Sequence, residues 1–531
     1  MIKKQKKLII TFAVLFVVLL VVYVAVIRPL VAVTEDDTPA VELYDWEVPI
    51  TAKTSNFYIF KPLERSSIQS IEVNNEYGGY KVYRDASDKF QLDGYVGLQF
   101  NQELFSSLVV TTGTPTAMMR VAVDLDEAGL AEYGLAEPQA SWKVTSTTGE
   151  EFVIEVGDNL ITEGGYYVKY VPEGYEDAPK NAVYILSTTL ADTILQPAYA
   201  LLQPLLTAGM SSNDYFFVDE FTVWKDGELF VNIYRTPEGE MSNPDAIAEH
   251  YMTYPKPESE DASSGAQYEL NDDLYYQVLY NFIALEGDSV VSFLPTDEEL
   301  EQYGLAEPKY IIRYMFEDYE FIILVSEQQA DGGYYAISNI YGYALVCHVE
   351  AGDKLGWLEK DKFSWIFPTP FFVNISTVKR ITLKADGVDV DFSLVHGTDA
   401  DGNPTLDVTE VNSGTVIKNA EVSNFRQYYK TMLNLTNQEY ATLSDEDRAA
   451  LIADESKVVM TMTYEGTDGT FSEYKFYKYV EESTGKISGG KIFVAVNGAG
   501  EFYTTNDLVD KVINDTSRVL EGLDIDAYGQ N

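Results

Sequence analysis

The chain has 531 residues, 84 of them Asp or Glu against 37 Lys or Arg, for a net charge of −47 at neutral pH. That balance rules against nucleic acid, whose phosphates are read by clustered Lys and Arg, and repels the body from anionic headgroups. Hydrophobic content of 46% excludes a disordered chain, the length predicts several domains, and a lone cysteine, Cys347, excludes an internal disulfide.

Met1 is followed by Lys3, Lys4, Lys6 and Lys7, then by an uncharged run, Leu8 to Ile27, whose only weakly polar members are Thr11 and Tyr23. The run has the ~20 residues that a helix rising ~1.5 Å per residue needs to cross ~30 Å of hydrocarbon. The lysines hold the N-terminus in the cytoplasm, and Glu35, Asp36 and Asp37 open an extracytoplasmic body. A cleaved signal peptide is the competing reading. Its apolar core would run ~7–15 residues to an A-x-A-like site, and Arg28-Pro29-Leu30-Val31-Ala32 offers no such pair. Residues 1–33 are therefore predicted as cytoplasmic tip and transmembrane anchor (helix 8–27) of a single-pass cell-membrane protein, and 34–66 as tether and lead-in.

Beyond the anchor the chain repeats itself. Glu132-Tyr133-Gly134-Leu135-Ala136-Glu137-Pro138 returns as Gln302-Tyr303-Gly304-Leu305-Ala306-Glu307-Pro308, and Gly164-Gly165-Tyr166-Tyr167 returns as Gly332-Gly333-Tyr334-Tyr335 at nearly the same offset. A third copy keeps the order of elements without the words. Each unit opens with a hairpin: Ile71 to Arg84 around Gly78-Gly79, Phe221 to Tyr234 around Asp226-Gly227, and Ile381 to Leu394 around Asp386-Gly387. Asp-Gly between alternating hydrophobics predicts a type I′ turn. Helices are expected at Asn101 to Val110, Asp272 to Leu285 and Val422 to Leu435.

The Tyr-Gly-Leu-Ala-Glu-Pro word follows as punctuation, its glycine free to turn left-handed and its proline forbidding helix. Strand pairs are expected at Ala140 to Val156, Tyr310 to Val325 and Lys457 to Tyr479, then a further pair and a closing helix, Asp507 to Leu520 in the last unit. The fold class is α+β: a transmembrane helix, then three tandem, related units with antiparallel sheets at 67–210, 211–374 and 375–531 (divergent). Pro255 to Gln267 reads as an exposed insertion in the second unit.

The Tyr-Gly-Leu-x-x-Pro word, the strand after it, and the Gly-Tyr-Tyr strand before Val183-Tyr184-Ile185-Leu186 resemble domain-of-unknown-function family 4340. The resemblance covers the first two units by words and the third by order, with Gly489-Gly490-Lys491-Ile492-Phe493-Val494 where Gly-Tyr-Tyr would fall. It implies an N-terminal membrane segment with an exported repeat body. It also implies an accessory role beside gliding-motility-type ABC transporters, and it carries over no catalytic residue. The motif residues Tyr133, Gly134, Leu135, Pro138, Gly165, Tyr166 and Tyr167, with Tyr303, Gly304, Leu305, Pro308, Gly333, Tyr334 and Tyr335, read as structural.

Chemical constellations are sparse. His250, His348 and His396 lie in distant segments without metal spacing, and Cys347-His348 on a strand points its two side chains to opposite faces. Gly485 to Lys491 has phosphate-loop spacing, but Ile492 stands where a hydroxyl belongs and a strand follows where a helix should. Asp399, Asp401, Asn403, Thr405, Asp407 and Glu410 match calcium-loop positions, but Pro404 stands where the loop needs glycine and no flanking helices are evident, so a plain acidic loop is favoured over weak calcium binding.

Tyr166-Tyr167, Tyr275-Tyr276, Tyr334-Tyr335 and Tyr428-Tyr429 place one ring in the core and one half-exposed, or form a ledge for glycan or protein. No catalytic residue, cofactor or metal is assigned. The leading expectation is a non-catalytic accessory protein of a membrane complex of ABC-transporter type. The alternatives are a cell-envelope glycan-binding module and a carboxylate-dependent wall hydrolase.

Overall fold

A computed structural model describes residues 42–529, apart from 52–55, 96, 161–163, 208–209, 242–245, 256–268, 353, 418 and 482–485. The predicted anchor Leu8–Ile27 lies outside the described residues, as do most of the predicted insertion and Gly485 of the phosphate-loop look-alike. Among the described residues no helix is long and apolar enough to cross a membrane. The chain divides into two compact units, one up to Leu201 and one from Leu202.

The first unit holds one sheet. Its elements run β1 (Val48–Pro49), β2 (Phe57–Tyr58), β3 (Ile68–Asn75), β4 (Gly78–Arg84), β5 (Phe90–Leu92), α1 (Gln102–Gly113), β6 (Thr116–Val123), α2 (Glu127–Ala131), β7 (Ala140–Ser146), β8 (Glu151–Asn159), β9 (Tyr166–Tyr170) and β10 (Ala182–Leu186). In space the strands lie in the order β5-β4-β3-β7-β8-β9-β10-β6, with β2 and β1 of the lead-in added beyond β6.

The second unit holds two sheets. One runs β11 (Val218–Lys225), β12 (Glu228–Arg235), β13 (His250–Tyr254), α3 (Asp272–Phe282), β14 (Ser289–Phe293), α4 (Asp297–Gln302), β15 (Tyr310–Phe316), β16 (Tyr319–Val325), β17 (Tyr334–Ser338) and β18 (Leu345–Val349). The other runs β19 (Val378–Ala385), β20 (Val388–Thr398), β21 (Pro404–Glu410), β22 (Thr415–Ile417), α5 (Asn419–Leu433), β23 (Glu439–Tyr440), α6 (Asp445–Ala453), β24 (Val458–Gly466), β25 (Phe471–Glu481), β26 (Lys486–Val496), β27 (Ala499–Thr505) and α7 (Asn506–Leu520). Their spatial orders, β13-β12-β11-β15-β16-β17-β18-β14 and β21-β20-β19-β24-β25-β26-β27-β23, repeat that of the first sheet strand for strand, with β22 appended in the third. All pairings are antiparallel, so the class is α+β.

Both faces of each sheet carry apolar side chains, and each face has its own cover. On one face of the third sheet Phe425, Tyr428, Tyr429 and Met432 of α5 and Val509, Val512 and Val519 of α7 pack on Ile381, Leu383, Phe392, Met460 and Phe476. On the opposite face Leu451 of the short α6 meets Tyr477, Phe493, Ala495 and Tyr503. In the second sheet α3 sets Tyr275 and Phe282 against Phe221, alongside Trp357 and Trp365, and the other face carries Leu305, Ile337 and Val346.

Several expectations change. The first hairpin turns at Glu76-Tyr77, two residues earlier than predicted, because Gly78 already pairs with Asn75 as the first residue of β4. Asp226 and Gly227 both have positive φ, as a type I′ turn requires, whereas at Asp386-Gly387 positive φ falls on Gly387 alone. The third strand of each unit (β5, β13, β21), the strand after the long helix (β6, β14, β23) and the short helix (α2, α4, α6) were not foreseen. Most are short or half-exposed, and β21, which buries Leu406, Val408 and Glu410 alternately, was read as an acidic loop. Among the described residues a closing helix forms in the third unit alone; the first and second end in 3₁₀ turns such as Ala198–Leu201 and Gly356–Glu359.

The lead-in is fastened by a buried charge. Glu47, with its side chain fully enclosed, pairs with Arg120 of β6, accepts from Tyr184 Oη at 2.9 Å and takes the Tyr44 amide at 2.9 Å. Arg120 also donates to the Glu42 carbonyl at 2.8 Å and lies over the Tyr44 ring. Removing one partner of such a pair strands a charge in low dielectric. Arg120→Ala should therefore destabilise the first unit by about 3 kcal/mol, read in urea unfolding, while Glu47→Gln, which keeps the Tyr184 contact, should cost less.

Candidate functional site

The repeated words come together in space. Helix α2 starts at Asp126, whose carboxylate accepts from Gly129 N, and α4 at Thr296, in a reciprocal capping box with Glu299. Both helices end in the Tyr-Gly-Leu word. Gly134 and Gly304 have φ +68°; their amides donate to Ala131 and Glu301 carbonyls, and those of Leu135 and Leu305 reach back to Leu130 and Leu300. This is a Schellman cap, with glycine in the left-handed position and a leucine folded back on the helix. Leu135 and Leu305 are buried on the outer sheet face, and Pro138 and Pro308 lead into β7 and β15.

The second word supplies the opposing surface. A Cβ at Gly165 would lie 2.4 Å from the Leu186 carbonyl and one at Gly333 2.8 Å from that of Val349, so glycine lets the neighbouring strand close. Tyr166 and Tyr334 are buried. Tyr167 and Tyr335 face outward and meet Tyr133 and Tyr303, with ring centroids 4.9 and 4.7 Å apart. Tyr133, Tyr167, Tyr303 and Tyr335 are each half-buried, packed ring against ring over the strand.

The two capping glycines are not equivalent. A Cβ at Gly304 finds nothing nearer than Ser326 Cβ at 3.5 Å, but one at Gly134 would lie 2.8 Å from the Asp158 amide. Gly304→Ala should cost about 1–2 kcal/mol for the left-handed residue, and Gly134→Ala more, by thermal unfolding of the two variants.

Among the other tyrosine pairs, Tyr428 and Tyr429 are both buried, while Tyr275 is buried and Tyr276 half-exposed. Tyr276 belongs to an aromatic cluster that pairwise reading of the sequence missed. Tyr215 lies 4.1 Å from Phe216, 6.2 Å from Tyr276 and 5.9 Å from Tyr280, and Phe216 lies 5.2 Å from Tyr276. Tyr280 is 60% exposed. The i, i+4 spacing of Tyr276 and Tyr280 on α3 was the available signal; the run Tyr215-Phe216-Phe217 gave none, because it sits in a 3₁₀ turn. Beside this cluster Asp272 lies exposed in the first turn of α3, where partial desolvation and the like charges of Asp273, Glu269 and Glu249 push its carboxyl up to about 6.

The histidines stay apart. His250 is buried, with Nδ1 at 2.9 Å from Tyr276 Oη and Nε2 at 2.9 Å from the Val218 carbonyl. His348 sits between two carboxylates, Asp288 at 2.9 Å from Nδ1 and Asp331 at 3.3 Å from Nε2, its ring edge-on to Tyr335. His396 Nε2 lies 2.7 Å from the Val378 carbonyl. Cys347 is buried beside His348, and burial pushes its thiol up to about 12, which keeps it protonated.

The calcium-loop candidates are not brought together. Asp399 accepts from the amides of Asp401 and Asn403 and from the Asn403 side chain, which saturates it as a turn residue. Thr405, Asp407 and Glu410 then follow along the extended β21, Glu410 buried and accepting from Ser413, Asn412 and Asp391. A strand rises ~3.4 Å per residue, so these carboxylates spread apart instead of converging. Lys486 to Lys491 belong to strand β26. Among the described residues no group of three or more His, Cys, Asp or Glu is arranged to hold a metal ion.

His250 and His348 respond to pH in opposite senses. Burial lowers His250 to about 4, so the stability it contributes is present above the unfolded value of ~6.5 and lost as pH falls through the folded one, by up to about 3 kcal/mol. For His348 burial acts downward, but Asp288 and Asp331 outweigh it and hold the imidazole above its ordinary value. Its contribution is present below ~6.5 and lost as pH rises through the folded value. NMR titration of the imidazoles should show one midpoint well below and one above 6.5, and His250→Gln should flatten the acid loss of stability.

No curated protein and no solved structure matches the chain. The family model described as domain of unknown function (DUF4340) matches residues 91–308, from within β5 to the proline of the second Tyr-Gly-Leu-Ala-Glu-Pro word, so both copies of the word fall inside it.

Proposed function

We propose that the protein is a membrane-anchored, extracytoplasmic, non-catalytic interaction protein. Its partner is a membrane complex of the ABC-transporter type. The observation that carries this reading is the aromatic cluster of Tyr215, Phe216, Tyr276 and Tyr280, held on a helix and a turn with Tyr280 projecting. Tyrosines of this kind are the residues that dominate protein interfaces. The apolar run Leu8–Ile27 supplies the anchor. The family resemblance supplies the transporter context, and the saturated turn at Asp399 leaves the calcium-loop reading without support.

Asp272 beside the same rings, its carboxyl pushed up to about 6, favours a second reading, in which the cluster stacks on a sugar face while carboxylates accept its hydroxyls. A wall hydrolase would use Asp272 as its proton donor.

Cross-linked native membranes and the tagged full-length protein separate these. Stoichiometric recovery of permease and ATPase subunits, reduced about tenfold or more by Tyr215→Ala with Tyr280→Ala at unchanged thermal stability, is the expected result. Recovery of the protein alone, or with wall fragments only, overturns the transporter reading. Wall-fragment release abolished by Asp272→Asn would establish the hydrolase.

A further inference from the structure

The three sheets share one topology, so a position where they differ stands out. In an antiparallel ladder alternate residues point both N–H and C=O to the same side. Ser146 N donates to the Glu150 carbonyl, so 150, 152 and 154 bond towards β7, while 151, 153 and 155 face β9. Glu155 finds Lys169, but β9 pairs with β8 no further than Tyr170 opposite Ile154. The Ile154–Tyr170 pair sets the Val171 amide against the Val153 carbonyl, but among the described residues no acceptor meets the Val153 amide, and neither donor nor acceptor meets Glu151, on that side. Continuing the register puts Val171 opposite Val153, and Val171 is 44% exposed.

The other two sheets close the same opening. In the second, the position opposite Ile322 is Asn339; its side chain accepts from Ile322 N at 3.0 Å and donates to the Glu320 carbonyl at 2.8 Å, imitating a further stretch of strand. In the third, the position opposite Glu473 is Asn497, whose side chain accepts from Glu473 N at 2.9 Å while its own amide donates to the Glu473 carbonyl at 2.8 Å. Val171 keeps the backbone amide, but its side chain offers no acceptor for the strand amide and no donor for the carbonyl beyond it. What remains in the first sheet is a groove of about 610 Å³ beside the open edge, with Leu63, Phe152, Tyr170 and Tyr175 as its apolar and aromatic lining. Glu150, Glu151 and Glu173 stand exposed along it.

From this difference we infer that the groove receives an extended segment of another protein, which adds to β8 as an antiparallel strand against Glu151–Val153. Main-chain hydrogen bonds supply the affinity in such strand addition, and alternate side chains the selectivity. The exposed glutamates select a segment carrying Lys or Arg. The inference is independent of the aromatic cluster, which lies in the other compact unit.

The test uses the full-length chain in detergent, with the acetylated peptide Lys-Thr-Val-Thr-Val-Thr-Lys as probe. Amide exchange is followed by mass spectrometry over fragments spanning 150–155. Without probe, Val153 should exchange as an unpaired amide; with it, about tenfold or more slowly. Val171→Asn should install the closure seen in the other sheets, slowing Val153 without probe and weakening probe binding about tenfold, whereas Val171→Ser should bind as the natural chain does. Asn339→Ala should open the second sheet and speed exchange at Ile322.

Three outcomes would overturn the inference. They are a Val153 amide already as slow as that of Glu155 without probe, equal probe protection in the natural chain and Val171→Asn, and no protection at millimolar probe.

Discussion

Each sheet of this protein is apolar on both faces, and an antiparallel sheet of that kind is stable only if both are covered. The long helix covers one. The other depends on a helix of one or two turns, too short to hold itself together in water. It survives because both ends are fixed: a side chain at Asp126, Thr296 or Ser444 takes the free amides at its start. At its end the Schellman cap at Gly134-Leu135 and Gly304-Leu305 turns a leucine onto the sheet. Tyr133 on Tyr167 and Tyr303 on Tyr335 then tie that cap to the strand beneath. The third sheet reaches the same end without the words, through Leu451 on Tyr477 and Phe493.

Charge is handled by a related economy of position. Among the described residues few carboxylates are buried, and those have dedicated partners. Glu47 has Arg120 and Tyr184, and Glu410 has the amides and hydroxyl around Ser413. Asp288 and Asp331 on either side of His348 favour its protonated form, while burial of His250, bonded to a tyrosine and a carbonyl inside the second sheet, favours the neutral one. The same residue type thus carries opposite charge preferences in one unit, because one site offers counter-charge and the other only dipoles.

The repeated words are consumed by packing, and the copies differ elsewhere. The aromatic cluster on α3 belongs to the second sheet. The open edge of β8 belongs to the first, where Val171 replaces the asparagine that Asn339 and Asn497 provide elsewhere. Duplication supplies a rigid frame, and single substitutions at equivalent positions give each copy a different surface.

The sequence by itself determined the duplication, the α+β class, the long helices and the hairpins, because these rest on local periodicity and turn chemistry. Asp226-Gly227 turned as its residues require, and the strands within Tyr310 to Val325 began and ended where alternation placed them. It also identified the motif glycines as conformational, although not the helix that they cap. Only the tertiary structure decided the rest. Whether β6, β14 and β23 form depends on a partner strand far along the chain. Asp399 and Glu410, ligand-spaced in sequence, are carried apart by an extended strand, while Tyr215 and Tyr280, sixty-five positions apart, come within stacking distance. Spacing along a chain fixes distance only inside one regular element; across elements distance is set by how the sheet pairs, and no local pattern records that.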